Sequence, residues 1–262
     1  MQNPEQTSLE NLAESLKAPK SRRSLLRGAM VGAAGATGLA VAGTALWPRG
    51  AAHAAGVAAS TCTPDSVQTI LDIAATAEQL AVTFYTYGIK NAHELGITGQ
   101  NFNYLTAAVV EEQLHLNLLV AAGGKPVTGT FSFPYGEDTF DYQDKFVKTL
   151  DQLETAFESA YLAAIRDFVY LNQPDLAVLA GQIVTVEAEH RALGRSISAS
   201  IRTADNWAFT PVYVKSVADA ANVLASEGYL SPKGNNSFSY KPASLNQNPD
   251  VQQRTPYVVA CS

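Results

Sequence analysis

The chain has 262 residues, 47% of them apolar and 16% charged, which is enough to bury the core of one domain with appendages and excludes a chain disordered throughout. Its formal charge is −6, and without residues 1–54, which carry six basic and three acidic side chains, 12 Lys+Arg face 21 Asp+Glu, a charge of −9. A surface this acidic, with no basic run, argues against nucleic acid or anionic lipid as a partner.

The first 54 residues differ in composition from the rest. A polar stretch leads into Ser21-Arg22-Arg23-Ser24-Leu25-Leu26-Arg27, a twin-arginine pattern. An uncharged Ala/Gly-rich run from Gly28 to Trp47 follows, and then Ala52-His53-Ala54, a small-x-small cleavage site. This reads as a Tat export signal, so residues 1–54 are expected to be removed and the remainder to be periplasmic or extracellular. The apolar run is close to the ~20 residues that span a bilayer. Its Gly and Ala content makes it weakly hydrophobic and a cleavage site follows, so the expectation is no stable membrane insertion after cleavage. Residues 55–63 form an N-terminal arm. The only two cysteines, Cys62 and Cys261, lie near the two ends of the mature chain. In an oxidising compartment they predict a disulfide tying arm to tail, with two unpaired thiols as the alternative.

Four long segments with a helical period follow, within residues 64–202. The first runs from about Pro64, after Thr63, to Glu94; the second from Asn101 to Ala122, stopping at Gly123-Gly124. The third runs from Tyr142 to Asn172, and the fourth opens at Pro174-Asp175 and ends near Arg202. Short joints after the first and third segments make antiparallel neighbours. The joint from Gly123 to Tyr142 is long enough to run the length of a bundle, since extended chain covers ~3.3 Å per residue. The expected fold is therefore all-α, a four-helix bundle with one long crossover. The crossover carries Phe131, Phe133, Tyr135, Phe140 and Tyr142, expected to lie on the bundle as a satellite core. Residues 203–262 form a C-terminal extension with a short helix from about Val217 to Ser226 and an irregular tail without chemistry of its own.

The apolar stripes of the four segments contain charge. The second segment's stripe is Leu105, Ala108, Glu112, His115 and Leu119; the fourth's is Ile183, Glu187, His190, Gly194, Ile197 and Ile201. Glu78 stands in the first stripe with Leu71, Ala74, Ala81 and Tyr85, and Glu154 in the third with Val147, Leu150, Phe157, Tyr161 and Ile165. Four carboxylates and two imidazoles thus point inward, and Arg191 is expected only on the flank. An unpaired buried carboxylate costs several kcal/mol even after relaxation. Two divalent cations would answer the four negative charges with the histidines neutral. Glu-x-x-His suits this because residues three apart on a helix project to one side.

Glu78 maps onto Glu154 and Tyr85 onto Tyr161 with an offset of 76, while Glu112 maps onto Glu187 and His115 onto His190 with an offset of 75. A helix hairpin has been duplicated, which relates the two half-sites by a pseudo-two-fold axis. Glu158, one turn beyond Glu154, is an alternative or extra ligand; the offsets favour Glu154. Glu111 and Glu189 lie off the stripe and are expected in solvent, as is His93 beside Glu94. Tyr85 and Tyr161 are expected to be core residues.

On these motifs the chain resembles the ferritin-like superfamily of di-metal carboxylate bundles over residues 64–202, in particular exported bacterial ferritin-like domain proteins of the desiccation-related type. The resemblance implies a metal site made by Glu78, Glu112, His115, Glu154, Glu187 and His190. Glu112 and Glu187 would bridge, Glu78 and Glu154 would be terminal, and the cofactor would be two divalent ions of iron or manganese. Partners would then be metal ions with O2 or peroxide. The reaction, if there is turnover, would be that of an oxidoreductase of ferroxidase, peroxidase or manganese-catalase-like type. A non-enzymatic stress-protection or surface bundle with a structural or lapsed metal site is the competing reading; a lost ligand would favour it, and none of the six is missing. Assembly into a homo-oligomer is left open by the sequence.

Overall fold

The computed structural model describes residues 63–198 and 208–257. Residues 1–54, read above as an export signal, both cysteines, Ile201 and Arg202 lie outside the described residues.

Four long helices carry the fold: α1 (Val67–Lys90), α2 (Gly99–Ala121), α3 (Gln143–Tyr170) and α4 (Pro174–Ser196). A short helix, α5 (Val217–Ser226), lies where the sequence predicts it. The first helix starts and stops inside its predicted bounds. Ser66 is the N-cap, and its hydroxyl accepts from the Thr69 N–H at 3.0 Å, satisfying one of the helix's unpaired amides. Beyond Lys90 the chain turns, and Gly96 and Gly99 at positive φ lead into α2. Between α3 and α4 only Leu171–Gln173 intervene, with Asn172 at φ 56° reversing the chain ahead of Pro174 in the first turn. These short joints make α1 and α2 one antiparallel pair and α3 and α4 the other, and the two hairpins pack into the bundle.

The crossover is part of the main core rather than a satellite to it. Phe131, Phe133 and Phe140 are buried in the same cluster as Phe84, Phe146 and Leu150, and Phe84 stacks on Phe146 at 4.6 Å; Tyr135 and Tyr142 stay exposed. The tail is irregular but fastened. Its strand β2 (Phe238–Ser239) pairs antiparallel with the crossover strand β1 (Thr130–Phe131). Buried Asn248 donates to Asn103 and Thr106 of α2, and Gln113 of α2 accepts from Tyr240 and from the Ala243 N–H. Among the described residues no helix is long and apolar enough to cross a membrane.

Candidate metal centre

The six residues picked from the stripes meet at mid-bundle. Glu112 and Glu187 are fully buried, and Glu78, Glu154 and His190 nearly so. The His115 Nδ1 lies 3.3 Å from Glu112, 3.5 Å from Glu187 and 3.7 Å from Glu78. The His190 Nδ1 lies 3.0 Å from Glu112, 3.5 Å from Glu187 and 4.0 Å from Glu154. Two groups result, Glu78 with Glu112, His115 and Glu187, and Glu154 with Glu112, Glu187 and His190, each with donor atoms within 4.8 Å of one another. Glu112 and Glu187 belong to both. Glu158 joins neither, because its carboxylate accepts from the Arg191 guanidinium at 3.1 Å.

The residues fit a cation pair on a test independent of any motif. Buried polar atoms are nearly always hydrogen-bonded. Here six buried donor atoms, Glu78 Oε2, Glu112 Oε1, Glu154 Oε2, both Glu187 carboxylate oxygens and His190 Nδ1, have no hydrogen-bond partner. Orphans converging on one point are what a metal-ligating set looks like when only the protein's own atoms are counted.

The electrostatics agree. Burial, with the charges of Glu112 and Glu187 adding to it, pushes Glu78 and Glu154 well above the usual carboxyl range. Burial also opposes charge on Glu112, but the His190 and His115 imidazoles outweigh it and hold this carboxyl well below its ordinary value. Burial would lower both histidines, yet the surrounding carboxylates overcome it and hold His115 and His190 well above the normal imidazole value. Without cations, protons do the work of neutralising this core.

Four residues play parts that differ from those expected. The Tyr85 hydroxyl donates to Glu154 Oε1 at 2.5 Å, and the Tyr161 hydroxyl donates to Glu78 Oε1. Each outer carboxylate is thus held by a tyrosine from the other hairpin, so these two are partners of the site and not mere core. The sequence carried the signal, since the offset of 76 that pairs Glu78 with Glu154 pairs the tyrosines too. Glu111 is not simply solvated: its carboxylate accepts from His190 Nε2 at 2.8 Å, which leaves Nδ1 facing the cluster. Arg191 is buried rather than on the flank, and bonds Glu158 and Asp151. Tyr104, which the stripes did not select, contacts the Tyr85 hydroxyl at 3.0 Å and donates to the His190 carbonyl at 2.7 Å. Glu189 and His93 are exposed, as expected.

Residues 66–200 match the family model described as the ferritin-like domain. No curated protein and no solved structure matches the chain.

Proposed function

The chain belongs to the ferritin-like domain family, and on that premise we propose that it is an exported di-metal carboxylate protein working in redox chemistry on O2 or peroxide. The observation that carries this reading is the sharing of buried Glu112 and Glu187 by two four-residue groups, each completed by its own histidine and its own outer glutamate. Glu78 and His115 would hold one divalent ion, Glu154 and His190 the other, with Glu112 and Glu187 between them. Carboxylate and imidazole donors suit iron or manganese. Bound there, such ions supply a change of valence through which O2 or peroxide can exchange electrons with the site.

The remaining work falls to the chain. Tyr85 and Tyr161 fix the outer carboxylates by hydrogen bonds from the opposite hairpin. Glu111 holds a proton on His190 Nε2 and so keeps Nδ1 as the inward donor. Leu105, Ala108 and Ile183, buried on the same helix faces as the carboxylates, surround them with aliphatic groups, which strengthens the charge interactions inside. The twin arginines Arg22-Arg23 support export by a route that carries folded proteins, which suits a site loaded before export.

Metal analysis of protein purified with its native leader tests the reading. About two equivalents of iron or manganese per chain are expected, and almost none in a Glu112→Ala, Glu187→Ala variant. Peroxide and O2 consumption by the loaded parent, absent from the variant, supports an oxidoreductase; metal bound without consumption leaves a scaffold. Retention of an Arg22→Lys, Arg23→Lys variant in the cytoplasm supports export, and unimpaired secretion of it overturns that part.

A further inference from the structure

The two halves of the site are not equivalent, and the internal repeat shows where they part. The offset of 75 that carries Glu112 to Glu187 and His115 to His190 also carries Tyr104 to Leu179 and Glu111 to Val186. Around His190 the first member of each pair closes the site, Tyr104 on the backbone carbonyl and Glu111 on the outer ring nitrogen. Around His115 the equivalent positions are aliphatic and can do neither. The His115 side chain is accordingly 13% exposed against 2% for His190.

The space beside His115 opens into a cleft of about 620 Å³ bounded by α2, α4 and the tail segment Val251–Tyr257. One wall is apolar, made by Leu114 and Leu118 of α2 and Leu179, Ile183 and Val186 of α4. The tail segment forms the other side and is pinned to α4 by the Gln182 side-chain amide donating to the Tyr257 carbonyl at 2.9 Å. The cleft is far larger than O2 or peroxide requires, since a water occupies about 30 Å³ of liquid. It falls within the roughly 300–1,000 Å³ typical of sites for small organic molecules.

Its charge narrows the class of ligand. Glu111 and Glu189 line the cleft, while the Arg254 guanidinium is directed at carbonyls of its own stretch of chain, those of Val251, Leu245 and Asn248. Among the described residues an anion would meet carboxylates and no cation turned toward it. We propose that this cleft binds a neutral organic molecule with a largely apolar body and presents one end of it to the His115 half of the site. The binding stands on the cleft alone; the presentation rests on the metal reading given above.

A fluorescence titration of the full chain with aminoanthracene, a neutral apolar probe, tests the binding in metal-free and manganese-loaded protein. Saturable binding of one probe per chain is expected, displaced by octanol and far less by octanoate in the metal-free protein. Val186→Trp fills the cleft and Val186→Glu charges its wall; with helix content and melting unchanged, each is expected to weaken the probe about tenfold or more, a change of about 1.4 kcal/mol. No saturable binding, or binding undiminished in both folded variants, overturns the site, and equal displacement by octanoate overturns the neutral class. In cobalt(II)-loaded chain octanol is expected to shift the visible absorption, and an unchanged spectrum at saturating octanol overturns the placement beside His115. A parent chain that binds the probe but takes up no metal overturns the metal reading alone, whereas metal uptake without probe binding overturns the cleft alone.

Discussion

Stripping the metal should leave a fold whose stability falls steeply as pH rises. His115 and His190 are held well above the ordinary imidazole value, against burial, by the carboxylates that surround them. Glu78 and Glu154 are pushed up by burial and by the charges of Glu112 and Glu187. A group whose folded value is raised contributes stability in full below its unfolded value, 6.5 for histidine and 4.5 for glutamate, and loses it as pH climbs through the folded value. Glu112, held low chiefly by His190 after burial is overcome, works the other way, but its loss comes only in acid. Each of these four groups that stays protonated in the metal-free fold where the unfolded chain has released its proton contributes a slope of about −1.4 kcal/mol per pH unit, and the four act in the same direction. Against a total stability of about 5–15 kcal/mol, a rise from about pH 7 to 8 is a large fraction of the whole. Bound cations displace those protons, so the loaded protein should show a flat or opposite slope, because acid competes with metal for the same donors. Urea unfolding followed by circular dichroism, on chelated and loaded protein across this window, measures both slopes. A metal-free protein whose stability is level or rises with pH would refute the charge account of the core.

Four substitutions probe the site and its surroundings. Tyr161→Phe frees Glu78 from its donor, and Tyr85→Phe does the same for Glu154; each should weaken metal affinity by about tenfold to a hundredfold, the usual effect of losing a group that orients a ligand, as read by competition with a chelator. Glu111→Gln removes the charge behind His190, and it should weaken one of the two metal equivalents by a similar factor while sparing the other; equal weakening of both would contradict the assignment of halves. Gly194→Ala places a Cβ well inside van der Waals contact with Leu150 Cδ2, on a side chain with no solvent to retreat into. The overpacking, about 1–3 kcal/mol, should exceed the roughly 1 kcal/mol that alanine gains over glycine in a helix, so thermal melting should show net destabilisation.

The stripes and the repeat made the bundle, its one long crossover and the meeting of Glu78, Glu112, His115, Glu154, Glu187 and His190 legible before any coordinates, because a 3.6-residue period says which side chains share a face. Period alone could not say what lies opposite a face. Glu111 sits about 100° from Glu112 on its own helix, which reads as solvent, but the adjacent helix α4 brings His190 within 2.8 Å. Arg191 read as flank for the same reason, until α3 supplied Glu158 and Asp151. The tail was opaque for a different reason: its fastening depends on single polar contacts such as Asn248 on Thr106 and on two paired residues of strand, none of which leaves a periodic trace.

The departures from internal symmetry have a common direction. The offset of 76 carries Val82 to Glu158, and that of 75 carries Leu116 to Arg191, so one hairpin has two buried aliphatic residues where the other has a buried ion pair. A single buried charge left without its partner costs about 3–5 kcal/mol, so carboxylate and guanidinium are tolerable only together. Glu158 lies one turn from Glu154, and Arg191 follows His190, which sets the pair beside the half already closed by Glu111 and Tyr104. Each added polar group there has its complement: Glu158 has Arg191, Glu111 has the His190 ring and Tyr104 has the His190 carbonyl. The opposite half keeps Val186 and Leu179, which offer His115 no hydrogen bond and leave its flank to the cleft. Duplication supplied two like half-sites, and the polar groups gathered on one of them fix His190 in place while leaving His115 as the side from which a molecule can reach the centre.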